Sequence, residues 1–495
     1  MITPVKTANN LNKSFKANLI LGMCALLVCF STGVVATNVV FGKMIVSDKS
    51  QDSVLSAAIQ AQITLNKQNL YYPASVGRFY KKSGYKLRWV APDTVKMYAS
   101  EAMLVLDCVT QYGLSPSDYH PQELLYEKLN TLTQHFDKTS IIEKARFDII
   151  LTDAVIALIN NLHYGKLNPD YFAEKIDTTS ANSCSAEVVL ATAMQEKNFA
   201  GTILNVQPKS QEYADMQYHL HLLTGLYAGD CYEIPDSDIR KISVNMERLR
   251  WINSDDKTYI HINIPSYTLK FHQPDTTYPF KVVVGKPENP TPTLQSAVSY
   301  FTTAPEWRVP HKIFVRELLP RMIKDINYLE NNHYTIYDNK GNYIAPNASG
   351  IARVRQNPSG YSVTQSSGCD NSLGMIVFRF PNIYDIYLHD TPEQQLFAKQ
   401  ERAFSHGCIR VQHAENFAEL LLKNDGSTEK ITDLRRTFFK HQTKNFSLKK
   451  AIPIKITYLT CEVKEGVLID YKDIYNLDRG LESALYNIDV PLVVK

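Results

Sequence analysis

The spacing of apolar positions divides the chain near residue 250. Before that point the period is helical. Phe147, Ile150, Leu151, Ala154, Val155, Leu158 and Leu162 recur at i, i+3, i+4 and i+7, and Gly165 ends the run. Ala102, Val105, Leu106 and Val109 form a shorter stripe that closes at Gly113, and a further helix is predicted over 212–226. These helices carry no clustered set of His, Cys or carboxylate side chains and read as packing elements. After residue 250 the period shortens to two. Ile260, Ile262 and Ile264 alternate with His261 and Asn263, which predicts a half-buried strand. Further strands are predicted over 268–272, 280–284, 375–380, 385–388 and 452–458, with a helix over 414–423. Pro290, Pro292 and Pro305 keep their stretch out of helix.

Residues 311–350 interrupt these strands with helical and polar content, an excursion long enough to read as a lid rather than a connection. The expected fold class is therefore α+β, a helical domain followed by a β-rich domain with a helical lid insertion. The expected divisions are a tail and apolar segment over 1–43, a polar stalk over 44–75 and a helical domain over 76–245. A β-rich domain over 246–445 follows, and C-terminal strands and a helix over 446–495 complete the structure.

The N-terminus bears on location. Lys6, Lys13 and Lys16 precede a 26-residue run, 17–42, without a formal charge, and Lys43 closes it. A secretory apolar region is usually about 7–15 residues, whereas a spanning helix needs about 20. The length favours a retained anchor, with the lysines cytoplasmic and the rest of the chain exported. A signal peptide cleaved after Val34-Val35-Ala36 is the competing reading.

Composition narrows the classes. Hydrophobic residues make up 44% and charged residues 21%, which excludes a largely disordered chain and a polytopic membrane protein. Lys+Arg 53 against Asp+Glu 50 leaves +3, so no global field points to nucleic acid as a partner. The eight cysteines show no C-x-x-C spacing, and they are too sparse for a disulfide scaffold. In an exported chain a pair among Cys108, Cys184, Cys231 and Cys461 is available for oxidation, with no pairing specified.

The candidate chemistry lies between 387 and 411. A free thiol is only a few per cent thiolate at neutral pH, so Cys408 needs a base or a nearby cation to become a nucleophile. His389 and His406 are the available bases. His406 is two residues from Cys408 in an extended turn and can point away from it. His389, at a strand end, is better placed to approach from the side and is the favoured general base. Gly407 permits close backbone approach, and N–H groups around His406, Gly407 and Cys408 are candidates for an oxyanion site, worth about 3–4 kcal/mol per donor in other enzymes. Arg410 supplies a fixed positive charge for a substrate carboxylate or for the loop. A metal site built from His389, His406 and Cys408 would need a fourth ligand that the neighbouring sequence does not supply, so neither metal nor cofactor is expected.

Ser405-His406-Gly407-Cys408-x-Arg410, preceded by Tyr387-Leu388-His389-Asp390-Thr391-Pro392, resembles the signature of the L,D-transpeptidases with a YkuD-type catalytic domain. Val284-Gly285-Lys286-Pro287-x-x-x-Thr291-Pro292, Trp307-x-Val309-Pro310 and Arg353-Val354-Arg355-Gln356-x-Pro358 resemble the large scaffold-bearing, YcbB-like group, as does Leu151-Thr152-Asp153-Ala154 in the helical region. The resemblance implies a peptidoglycan stem tetrapeptide as donor, attack by Cys408, release of D-Ala, and 3→3 cross-linking to an amine acceptor in the periplasm. It implies that Ser405, Arg410, Tyr387 and Trp307 contact substrate, that carbapenems acylate Cys408, and that the inner membrane holds the N-terminal segment. Hydrolysis of the same thioester, its transfer to an envelope protein, and a non-enzymatic scaffold are the alternatives. One departure stands out. Relatives of this type often carry a small peptidoglycan-binding module between the two domains, and the interval between 227 and 239 is too short to hold it.

Overall fold

The computed structural model describes residues 48–91, 96–178, 184–226, 235–252 and 256–488. The apolar run 17–42 and Cys231 lie outside the described residues. Among the described residues no helix is long and apolar enough to cross a membrane, and Cys184, Cys369, Cys408 and Cys461 are free thiols.

The helical domain is built around the helix Ile141–Tyr164. Ser140 and Glu143 form a reciprocal cap at its start, and Gly165, at φ 88°, ends it. A side chain at Gly165 would strike Glu247 and Trp251. The predicted stripe is correct but incomplete, because the helix is buried on nearly every face. Its polar residues act as internal anchors. Asp148 accepts from the backbone N–H groups of Arg88 and Trp89 and from the Tyr80 hydroxyl. Asp153 accepts from the N–H groups of Tyr71 and Tyr72 and pairs with His120. Buried carboxylates are tolerated when several donors surround them. Asp177, 6% exposed, caps the helix Pro73–Lys82 through the N–H groups of Ala74 (2.9 Å) and Ser75 (2.7 Å). Within the stretch read as a stalk, the helix Asp48–Leu65 inserts Ile59 into this same core, with Leu55, Ala58 and Ile63 against it. Those four residues recur at helical spacing, a signal masked by their polar neighbours.

The β-rich domain is one nine-stranded sheet. Its order is Ala403–Ser405, Thr276–Gly285, Ile409–Val411, Leu388–His389, Ile376–Arg379, Leu294–Thr303, Lys444–Thr457, Tyr259–Asn263 and Thr268–Gln273. The last strand also pairs with Thr276–Gly285, so the sheet closes into a barrel. The inward residues Ile260, Ile262, Val282, Val284, Phe301, Phe378, Leu388, Ile409 and Ile454 fill it, and the helix Ala414–Asn424 covers one side with Phe417 and Leu421. The division expected at 445/446 falls inside a single strand, Lys444–Thr457, which lies between Leu294–Thr303 and Tyr259–Asn263.

The insertion is a subdomain with its own four-stranded sheet, Trp307–Arg308, Tyr361–Gln365, Tyr334–Asp338 and Tyr343–Ile344, and its own apolar cluster from Val309 to Val363. It runs over 307–365, wider than the expected 311–350, because Trp307–Arg308 and Tyr361–Gln365 pair with each other at its neck. At the far end of the chain the helix Asp478–Tyr486 returns to the helix Ser237–Arg250. Arg248 meets Asp478 at 2.5 Å, Tyr486 bonds the Ser243 hydroxyl at 2.7 Å, and Glu482 pairs with Arg240.

Candidate active site

Sheet register assembles the site. Leu388 pairs with Ile409 and His389 with Arg410 on parallel neighbouring strands. One residue back, the Ile409 N–H bonds the Tyr387 carbonyl at 3.1 Å, which sets Tyr387 beside Cys408. Alternation along each strand then places Tyr387, His389, Cys408 and Arg410 on one face. The Tyr387 ring stands edge-on to His389, with centroids 5.7 Å apart, and its hydroxyl lies against Cys408 and Trp307. Tyr387 thus joins the sulfur to an open cleft of about 910 Å³ whose walls include Trp307, Val309, Phe314, Arg379 and Tyr387.

His389 is 5% exposed. Its Nδ1 lies 2.6 Å from the Asp390 carbonyl oxygen, which only an Nδ1–H can satisfy, so the lone pair of the neutral ring sits on Nε2. Burial and the adjacent Arg410 guanidinium push its pKa down to about 3, against the smaller opposing pull of the Asp390 and Leu373 carbonyls. The ring is therefore neutral at physiological pH. Burial pushes the Cys408 thiol up, while Tyr387 and the Arg379 guanidinium favour the thiolate. The resting pair is a thiol and a neutral imidazole, not a preformed ion pair.

The loop before Cys408 is held from inside. Gly407, at φ 116°, donates its N–H to Ser405 Oγ at 3.1 Å, and its carbonyl accepts from Thr291 Oγ1 at 2.8 Å. Ser405 is 3% exposed and donates to the Cys408 carbonyl. Two expectations need correction here. Ser405 braces the turn and does not face the cleft, and the Gly407 N–H is committed within the loop and does not face an oxyanion. The His406 ring turns outward to Glu317 of the insertion, so it ties the loop to the subdomain. Arg410 pairs with Glu393 and keeps its Nε buried without a hydrogen-bond partner. Trp307 lines the cleft.

Two participants, Arg379 and Tyr475, escaped the sequence reading, and a third, Thr291, was read only as part of a motif. Arg379 lies beside Tyr387 with its guanidinium 5.0 Å from the ring. The signal for it was an arginine closing an otherwise apolar strand, 376–379. Thr291 links Gly285 N–H (2.8 Å) to the Gly407 carbonyl. Tyr475 completes this bracket by accepting from the Thr291 N–H at 3.1 Å and donating to the Gly285 carbonyl.

Comparison with known proteins agrees with this geometry. Residues 74–220 match the scaffold domain family, and residues 257–432 match the L,D-transpeptidase catalytic domain family. A protein of Haemophilus influenzae named "Putative L,D-transpeptidase" is 34% identical over 252 residues, 51% of this chain and 50% of that protein. The match thus spans about half the length of the relative. Residues 257–432 are thus similar to L,D-transpeptidase catalytic domains, and the helical region before them is similar to the scaffold domain.

Proposed function

We propose that the protein is a peptidoglycan L,D-transpeptidase that forms 3→3 cross-links through a thioester on Cys408. The observation that carries this reading is the single sheet face shared by Tyr387, His389, Cys408 and Arg410 within the matched catalytic domain. Cys408 Sγ attacks the carbonyl carbon of the third stem residue while His389 Nε2 takes the thiol proton. The Asp390 and Leu373 carbonyls, already against the ring, stabilise the imidazolium that forms. Among the described residues no acceptor takes the Cys408 N–H, which leaves it the loop donor available to the developing oxyanion. D-Ala leaves as its amine takes the proton back from His389. The acceptor amine then attacks the thioester, passes a proton to His389, and the sulfur departs and is reprotonated.

The substrate enters along the cleft bounded by Trp307, Arg379 and Tyr387, and the 307–365 subdomain forms its outer wall. On this reading the run 17–42 anchors the chain at the inner membrane and the enzyme works in the periplasm. Carbapenems acylate the same sulfur. Muropeptides from purified enzyme and tetrapeptide donor should contain 3→3 dimers by mass spectrometry. Cys408→Ala should yield none and take up no carbapenem mass. Tripeptides alone would make the enzyme a carboxypeptidase, and protein conjugates would make it an attachment enzyme. Wild-type dimer yield from Cys408→Ala would remove the nucleophile.

A further inference from the structure

A second cluster lies far from Cys408 in sequence and draws on both matched domains. The strands Tyr259–Asn263 and Thr268–Gln273 pair so that Tyr259 meets His272 and His261 meets Lys270. His261 and His272 are therefore diagonal neighbours on one face, with ring centroids 6.1 Å apart. Glu212, in the first turn of the helix Gln211–Leu226, reaches down onto them. Its Oε1 lies 3.9 Å from His261 Nδ1 and 3.9 Å from His272 Nε2, and one ligand atom from each residue lies within 4.8 Å of the other two.

At 3.9 Å none of these approaches is a hydrogen bond. Thr457 Oγ1 donates to the Ile262 carbonyl, so it accepts from His261 Nε2–H at 2.9 Å. That fixes the tautomer and leaves His261 Nδ1 a bare lone pair aimed at the Glu212 carboxylate. His272 Nδ1 is occupied by the Thr277 hydroxyl at 3.2 Å, and its Nε2 is buried without a hydrogen-bond partner. Two imidazole nitrogens and a carboxylate oxygen thus converge with no hydrogen bond between them. With His272 Nδ1 donating to Thr277, all three atoms present lone pairs to one point, the arrangement a cation would satisfy. The neighbouring ammonium groups have carboxylates of their own, Lys270 with Glu462 at 3.3 Å and Lys455 with Asp256 at 3.0 Å.

We propose that Glu212, His261 and His272 hold a divalent transition-metal ion of the zinc type, which bolts the scaffold domain to the catalytic sheet. Two nitrogens and one oxygen select such an ion over calcium or magnesium. Tetrahedral bonds of about 2.0–2.2 Å bring ligand atoms to roughly 3.3–3.5 Å of one another. The two 3.9 Å approaches to Glu212 close by about half an ångström to reach that spacing, and the two imidazole nitrogens, within 4.8 Å of each other, draw together by up to roughly 1.5 Å. Thr457 and Thr277 are the outer hydrogen-bond partners that ligating imidazoles ordinarily have. The fourth position opens on a cavity of about 520 Å³ bordered by Lys209, Lys257 and Tyr259, where water or a small anion completes the coordination.

The test is independent of the acyl-transfer reading. The full chain bearing Cys408→Ala, so that the thiol takes no part, is stripped with chelator and titrated with zinc chloride by calorimetry. One ion per chain should bind with micromolar or tighter affinity and raise Tm by several degrees. Glu212→Gln and His272→Ala, each added to that background, should weaken binding by at least about tenfold and remove the metal-dependent rise in Tm. Their near-ultraviolet circular dichroism should stay that of the parent, since Glu212 and His272 are only partly buried. Absence of uptake by the parent, or undiminished uptake by the Glu212→Gln/His272→Ala double variant, would overturn the proposal.

Discussion

Burial acts on the two reacting groups in opposite senses, raising the thiol of Cys408 and lowering the imidazole of His389 to about 3. Acylation should accordingly show no ionisation near pH 6.5, because the base is already free far below that value. A stopped-flow pH profile of carbapenem acylation should be flat from about pH 5 to 8, and a limb centred near 6.5 would mean an ordinary imidazole. The same depression has a stability sign. Unfolded His389 takes up a proton below about 6.5 while the folded ring refuses it until about 3, so its contribution is complete above 6.5 and fades as pH falls toward 3. The Arg379 guanidinium, beside the Tyr387 ring, also favours the thiolate. Arg379→Met should push the thiol further up and slow iodoacetamide alkylation at pH 8 by about tenfold, with Tyr387 left in place. Cys408 and His389 were legible in sequence because their chemistry is local to one short segment. Arg379, Tyr475 and the bracing role of Thr291 were not, because only the closed sheet brings 285, 291, 407 and 475 together.

At the scale of elements, alternation and i, i+3, i+4 spacing located the strands around 260 and 378 and the helix through 150. They failed where short strands carry mixed residues. Ile409–Val411 and Ala403–Ser405 are three residues each, too short for a period to register. Leu294–Thr303 was hidden by Pro290, Pro292 and Pro305, which flank the strand without interrupting it. Helix caps supplied by distant segments are equally invisible. Asp177 closes the start of the helix Pro73–Lys82 from about a hundred residues away. Asp177→Ala should cost about 1–2 kcal/mol, read as a Tm several degrees lower, with carbapenem acylation unchanged.

At the scale of the molecule, the helix Ser237–Arg250 is the shared beam. It lies under the strand Cys461–Lys464 through Asn245, which donates to Thr460 Oγ1 at 3.0 Å and accepts from the Thr460 N–H at 2.8 Å. It carries the C-terminal helix through Arg248, whose side chain is 6% exposed against 19% for its partner Asp478. Removing one member of such a pair leaves the other charge shielded from water. Arg248→Ala should therefore destabilise by about 3 kcal/mol or more, and calorimetry should resolve the melting of the two domains into separate steps.

The strand Lys444–Thr457 has a further consequence, for the order in which the protein matures. It is made after every other strand of the barrel, yet it fills the gap between two of the earliest, Leu294–Thr303 and Tyr259–Asn263. Until it emerges, both of those neighbours keep a bare edge and the sheet cannot shut. Tyr475, which steadies the turn behind the sulfur, arrives later still. A nascent chain already bearing its thiol and imidazole is therefore inert until the segment through Tyr475 has been made, and its unsealed edges make that interval the one in which misassembly threatens most.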